Sequence, residues 1–221
     1  MKIRVINAIF LVLGIITSGY AMAELDPELA GASNQNESGF FVGAGMSLGQ
    51  AYATGGSNPG VAGLFSVEPG YVASRDSWGR IEASIALGMG MLDYREKSST
   101  SEKVDMDIKL FMLAKIGYGW SLGSSMFGIF RAGVGPVMAD YTAKIGGVTH
   151  KSDGTLSGMA GMLGYDILMP VNDTMDIVGG LQLTHMTFDL GKTKAGGVTS
   201  DIDEPINLNI PVIYIGTRFK F

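Results

Sequence analysis

The 221-residue chain has no cysteine, 7 prolines and 2 histidines. Without cysteine there is no disulfide to staple the fold and no thiolate to act as nucleophile or metal ligand, so stability must come from strand pairing and burial. Two histidines with no carboxylate cluster beside them make no metal signature. No glycine-rich loop stands between a strand and a helix to cradle a phosphate, so neither metal nor cofactor is expected. Positive charge is also in deficit, with 16 Lys and Arg against 21 Asp and Glu. That balance argues against a nucleic-acid partner, because phosphate binding is carried by Lys and Arg. Finally, nothing after residue 23 approaches the roughly 18 consecutive apolar residues of a membrane-spanning helix. Yet the chain is apolar on balance, with a mean hydropathy of +0.25.

Glycine is what the chain has in excess: 33 residues, against a usual share of about 7%. The first 23 residues, MKIRVINAIFLVLGIITSGYAMA, stand apart. Lys2 and Arg4 precede an apolar stretch from Ile9 to Ile16, and Ala21-Met22-Ala23 offers small residues for cleavage. This is the pattern of a secretory signal peptide, which predicts a mature chain starting at Glu24. Losing Lys2 and Arg4 takes the formal charge from −5 to −7. Residues 24–38 read as a short periplasmic leader and residues 39–221 as one domain.

Within 39–221 the apolar residues recur at every second position in eight segments. SGFFVGAGMSLG places Phe40, Val42, Ala44, Met46 and Leu48 on one parity. VAGLFSVEPGYV opposes Val61, Phe65, Val67, Pro69 and Tyr71 to Ser66, Glu68 and Gly70. RIEASIALGMGM opposes Ile81, Ala83, Ile85, Leu87, Met89 and Met91 to Glu82, Ser84 and three small residues. The clearest is VDMDIKLFMLAKIGYGW, with Met106, Ile108, Leu110, Met112, Ala114, Ile116, Tyr118 and Trp120 on one parity. Asp105, Asp107, Lys109, Lys115, Gly117 and Gly119 share the other. The stretch 126–141 alternates Phe130, Ala132, Val134, Pro136 and Met138 with Arg131, Gly133 and Gly135. LSGMAGMLGYDILM carries Met159, Leu163, Tyr165, Ile167 and Met169 opposite Gly158, Ala160, Gly164 and Asp166. MDIVGGLQLTHMTFDL is weaker, and PVIYIGTRFKF ends the series with Ile213, Ile215, Phe219 and Phe221 on one face.

The connections alternate in length. RDSWG, SLGSS and VNDT are tight-turn sequences, whereas roughly 50–60, 95–103, 142–154 and 189–204 are longer loops. Short turns on one side and long loops on the other predict an all-β, eight-stranded antiparallel up-and-down transmembrane β-barrel. Tyr71, Tyr118, Trp120, Tyr165, Phe219 and Phe221 all lie on the predicted outer face near the short-turn end, as an aromatic girdle at headgroup level requires. A soluble β-sandwich also alternates, but its second face is charged, whereas here it is mostly Gly, Ala and Ser.

FFVGAGMSLG, FRAGVGPVMADY, SGMAGMLGYDILMPVNDTMDIVGG and the terminal YIGTRFKF resemble the strand-turn-strand phrases of the small outer-membrane β-barrel superfamily, the OmpA/OmpX-type and opacity/surface-antigen barrels. The resemblance implies a bacterial outer-membrane location, contact with lipid and lipopolysaccharide, and loops able to meet an extracellular ligand. It also implies that Phe219 and Phe221 form the signal read by the barrel-assembly machinery.

Six charged residues fall on the inward parity in the short-turn half: Glu68, Glu82 and Asp166 against Lys115, Arg131 and Arg218. Three of each sign in a lumen that side chains can fill predict a paired plug, since buried charges are tolerated only when paired. Glu68 and Arg131 sit at matching heights and are expected to meet. His185 and Thr187 face outward near the long-loop end, with Asp189 and Glu204 not far along the chain. They have some similarity to the His-x-Ser of the outer-membrane lipid A deacylase, with Thr187 in place of Ser and Phe188 in place of the following Asn. Three functions follow for comparison: a non-enzymatic structural or surface-interaction barrel, a narrow ion or solute channel, and a lipid A-modifying enzyme using His185.

Overall fold

The computed structural model describes residues 38–53, 59–75, 79–95, 103–122, 126–145, 147–189, 192–195, 198–201 and 205–221. The signal segment, the leader up to residue 37 and Glu204 lie outside them. Eleven strands follow in chain order: β1 (Gly39–Ala53), β2 (Gly60–Arg75), β3 (Gly79–Arg95), β4 (Lys103–Ser121), β5 (Phe127–Ile145), β6 (Val148–Ser152), β7 (Leu156–Asn172), β8 (Met175–Asp189), β9 (Lys192–Ala195), β10 (Val198–Asp201) and β11 (Ile206–Lys220). Eight of these, all but β6, β9 and β10, are the staves of a closed antiparallel barrel. β5 passes directly to β7, and β1 closes on β11 from Phe41↔Lys220 to Ala53↔Leu208. Closure leaves no stave with unpaired backbone along its length. The fold class and stave count are those the alternation predicted.

Two of the expected long loops are built differently. Residues 142–154 are largely β-structure: β5 continues to Ile145 and folds back as β6, with Thr142↔Lys151 and Ile145↔Val148 in register. Residues 189–204 contain the hairpin β9–β10, and β9 pairs with β6 through His150↔Ala195 and Ser152↔Thr193. A four-stranded extension, in the order β5-β6-β9-β10, therefore rises from one side of the rim. Lys194 Nζ lies 2.7 Å from Asp153 Oδ1 and ties β9 to the turn after β6.

The largest correction concerns β4. Its pairing slips by one residue against both neighbours, between Ile108 and Leu110 on the β5 side and opposite Gly88/Gly90 on the β3 side. Lys109 is the extra residue, a β-bulge that points two consecutive side chains, Lys109 and Leu110, outward. Below it the predicted parity holds. Above it every side chain changes face: Val104, Met106 and Ile108 are buried inside, and Asp105, Asp107 and Lys109 stand outside.

β8 and β11 change polarity at the same height without a bulge. In β8, Leu181 and Leu183 face out and Met186 and Phe188 face in; in β11, Ile213 and Ile215 face out and Leu208, Ile210 and Val212 face in. The barrel thus has two storeys of opposite polarity. In the lower one, Val67, Leu87, Met112, Ile116, Val134 and Leu163 are exposed outside, and the charges lie inside. In the upper one, an apolar core fills the interior with Leu64, Leu92, Met106, Ile108, Tyr141, Met162, Phe188 and Ile210 among others. The expected small-residue lumen is found only in part, because this upper interior is packed with large side chains.

Leu110 to Trp120, the apolar outer face of β4, covers 11 residues. A tilted strand of about 9–11 residues crosses a bilayer core. The seven residues Lys103–Lys109 remain above it. At about 3.3 Å per residue and a tilt near 45° they lift the upper storey roughly 16 Å beyond the apolar band.

Candidate functional site

The lower lumen is occupied by one ion-pair network. Glu82, on β3, is its hub: Arg218 Nη1 and Nη2 donate to its two carboxylate oxygens at 2.6 and 2.8 Å, Arg131 Nη2 donates at 2.8 Å and Arg80 Nε at 2.7 Å. Arg131, from β5 across the barrel, is the second hub, reaching Glu68 at 3.4 Å and Asp166 at 3.1 Å besides Glu82. Lys115 Nζ donates to Glu68 Oε2 at 2.8 Å, and Ser84 Oγ to Glu68 Oε1 at 2.7 Å. All six residues singled out from the sequence, Glu68, Glu82, Lys115, Arg131, Asp166 and Arg218, are buried here.

The sequence reading missed several members. Arg80 and Asp176 are buried at the lower rim, and Lys220 Nζ lies 3.0 Å from Asp176 Oδ1. Both have the inward parity of their staves and lie within a few residues of a tight turn, which is the signal that would have found them. Gln182 donates to Asp166 at 3.2 Å. Phe41 lies under the Arg218 guanidinium, 4.0 Å from carbon to ring centre, so one cation is held by a π-face as well as by a carboxylate. Among the described residues four buried cations (Arg80, Lys115, Arg131, Arg218) face four buried anions (Glu68, Glu82, Asp166, Asp176).

The outer wall carries two further features. Near the lower edge, Trp120 stacks obliquely with Tyr118 (6.3 Å between centroids) and Tyr165 (5.9 Å), and Phe40 meets Tyr71 edge-on at 5.1 Å. Tyr71, Tyr118, Trp120, Phe219 and Phe221 are exposed and Tyr165 is half-buried beside Trp120. Phe40 extends this belt on the same outward parity.

At the upper edge, above Leu183 and Pro211, a polar row crosses from β8 to β11. His185 Nδ1 is 2.9 Å from Asn209 Oδ1, Thr187 Oγ1 is 3.2 Å from His185 Nε2, and Thr187 Oγ1 donates to Asn207 Oδ1 at 2.8 Å. The neighbour that orients His185 is thus the amide of Asn209, on the adjoining stave, and not a carboxylate. On the far wall, at β4 and β5, the same height is charged: Lys109 Nζ lies 2.5 Å from Asp107 and 3.2 Å from Asp140. Hydrogen bonds to Asp107 and then Asp140 hold the Lys109 ammonium above the ordinary lysine range. His150 stands apart on β6, and among the described residues no group of three or more His, Cys, Asp or Glu is placed to hold a metal ion.

No protein-family model matches the chain, and no curated protein matches it in sequence. Solved structures do match in fold. Neisserial surface protein A is 17% identical with a TM-score of 0.43, covering 84% of this chain and 100% of its own. The N-terminal β-barrel domain of Pseudomonas aeruginosa OprF is 11% identical with a TM-score of 0.43, covering 84% and 98%. The attachment invasion locus protein Ail of Yersinia pestis is 8% identical with a TM-score of 0.43, covering 83% and 99%. At identities of 8–17% the likeness is one of fold alone.

Proposed function

We propose that this protein is a non-enzymatic barrel of the bacterial outer membrane that holds a β-structured platform above the lipid surface, in a structural or surface-interaction role. The observation that carries this reading is the inversion of polarity along the barrel axis. The lower storey has the section of a membrane span, apolar outside and ionic inside. The upper storey is apolar inside, and its outer face is polar on β4, β8 and β11, where Asp105, Asp107 and Lys109 and then Thr187, Asn207 and Asn209 stand, while Val61 and Met159 remain exposed elsewhere. Both interiors are filled by side chains, as expected of eight staves. A solute crossing the barrel would have to part a paired charge network and then an apolar core. The extension β5-β6-β9-β10 adds surface on the long-loop side, where an extracellular partner would approach.

Full-length protein reconstituted in planar bilayers tests this: no steady conductance is expected, and a reproducible salt-dependent conductance would overturn the reading in favour of a channel. Orientation is tested with epitopes. One at Gly154, in the turn between β6 and β7, should be labelled on intact cells, and one at Asp173, between β7 and β8, only after the envelope is opened.

A further inference from the structure

The methionines of the outer wall are not evenly spread. Four neighbouring staves, β3, β4, β5 and β7, each place an exposed methionine near the top of the apolar band: Met89, Met112, Met138 and Met159, 41–59% exposed. Register links them. Leu87 pairs with Met112, Leu110 with Met138 and Pro136 with Met159, so each methionine is the diagonal neighbour of the next on the outward face. Diagonal neighbours lie about 7–8 Å apart, within reach of long side chains. The thioethers therefore form one continuous band, and Asp140, the next outward residue above Met138, marks its upper limit on β5.

We propose that this band is a sacrificial site for small neutral oxidants arriving at the cell surface, the class of hypochlorous acid and hydrogen peroxide, and that it shields the apolar core behind it. Each thioether sulfur gives up two electrons and takes the oxidant's oxygen. With hypochlorous acid the O–Cl bond breaks and chloride and a proton leave; with hydrogen peroxide the O–O bond breaks and water leaves. The inference rests on the membrane reading given above and goes beyond it in assigning a chemistry to the wall.

Three observations carry it. Vulnerable groups lie just behind the band: Met106, Met162 and Met186 are buried in the upper core, with Met162 three residues along β7 from Met159 and Met186 paired with Ala160 beside it. Oxidation of those residues would turn apolar side chains polar, and a sulfoxide oxygen in that core would have no water to bond. The second observation is height. At the edge of the apolar band the sulfoxide of an outer methionine meets water at headgroup level, so the same product is tolerated there. The third is that lipid contact does not call for sulfur, since Leu87, Ile116, Val134 and Leu163 face lipid lower on the same four staves.

The test is titration of the full chain, reconstituted in vesicles of saturated phosphatidylcholine, with hypochlorous acid. Peptide mass spectrometry maps each added oxygen, and semi-native gels follow the folded form. In wild-type protein Met89, Met112, Met138 and Met159 are expected to be oxidised before Met106, Met162 and Met186, with the barrel still folded. Leu in place of all four outer methionines is a volume-conserving exchange. It should bring oxidation of the core methionines and loss of the heat-modifiable form at a several-fold lower dose. Met126→Leu with Met169→Leu, both exposed at the lower edge, should leave that dose unchanged. Core oxidation ahead of the band in wild-type protein, an unchanged dose in the quadruple variant, or an equal shift from the lower-edge pair overturns the proposal. A wild-type chain that fails to insert into the vesicles would instead defeat the membrane reading itself.

Discussion

Replacing Arg131 by Met separates the members of the lumen network by how many partners each has left. Glu68 keeps Lys115 at 2.8 Å and Ser84, and Glu82 keeps Arg80 and the forked contact from Arg218. Asp166 loses its cation. It has no exposed surface, its ion pair is with Arg131 at 3.1 Å, and one hydrogen bond from Gln182 remains. Breaking a buried pair in this way costs about 3–5 kcal/mol. At roughly 2–4 °C per kcal/mol for a chain of this size, the barrel should unfold roughly 6–20 °C lower. The assay is loss of the heat-modifiable form on semi-native gels over a temperature series in detergent. Adding Asp166→Asn removes the stranded charge and should recover most of the loss, since replacing both members of a buried pair is often nearly neutral. Strand heights alone suggest Glu68 as the partner to neutralise, but Glu68→Gln in the same background strands Lys115 and should deepen the loss. An unchanged unfolding temperature in Arg131→Met, or equal rescue by Glu68→Gln, would refute this account of the network. A new conductance without loss of stability would mean that Arg131 gates a pore.

Two other perturbations probe the fold. Deleting Lys109 removes the bulge residue and leaves every other face of β4 unchanged, with Asp105 and Asp107 outside, Ile108 inside and Leu110 outside, and brings Ile108↔Ala139 and Leu110↔Met138 into consecutive register; assembled barrel is expected in outer-membrane fractions, and its loss would show that Lys109 is not simply the extra residue. Gly135→Ala should also impair assembly, because a Cβ there would come within 1.8 Å of the Met112 carbonyl oxygen; wild-type yield and heat-modifiability would argue against so close an approach of β4 and β5.

The lower storey was legible in the sequence because one rule governs it: apolar residues face lipid, and every second residue faces the lumen. Tight turns then place Glu68, Glu82, Lys115, Arg131, Asp166 and Arg218 at similar heights, so their meeting follows from parity and distance to the turn. The upper storey was misread because the rule reverses there while the alternation continues. In β11 the reversal is written as a change of phase, from Leu208, Ile210 and Val212 on even positions to Ile213 and Ile215 on odd ones. In β4 the phase never changes, and the eight even-numbered apolar residues from Met106 to Trp120 read as a single face. Period-two patterning cannot show a bulge, because an extra residue alters the face and leaves the spacing of the letters as it was. The signal that was present was chemical: Asp105, Asp107 and Lys109 crowd one end of a stave whose interior at that height is otherwise apolar. The strand pairing of β6 with β9 was hidden for another reason, since it joins two connections far apart in sequence and each is too short and polar to show a period.

The bulge also gives the barrel a fixed height in the bilayer. A barrel with a uniform apolar exterior could slide along the membrane normal at little cost, because each apolar residue that leaves the lipid at one edge is replaced by another entering at the other. Here upward displacement of lipid would bring Asp105, Asp107, Lys109 and Asp140 into hydrocarbon on one wall, and His185, Asn207 and Asn209 on the other. A Lys or Arg on the lipid face costs about 2–4 kcal/mol at the midplane and about 0–1 near the interfaces, and an Asp somewhat less, so the penalty rises with each step of sliding. Displacement in the other direction is resisted by the aromatic belt of Phe40, Tyr71, Tyr118, Trp120 and Tyr165, whose rings favour the headgroup level. The polar row of His185, Thr187, Asn207 and Asn209 is thereby held at a constant depth, at the upper edge of the apolar band. On β4 the bulge at Lys109 marks the same height, with Lys109 and Asp107 the first charges above the apolar band.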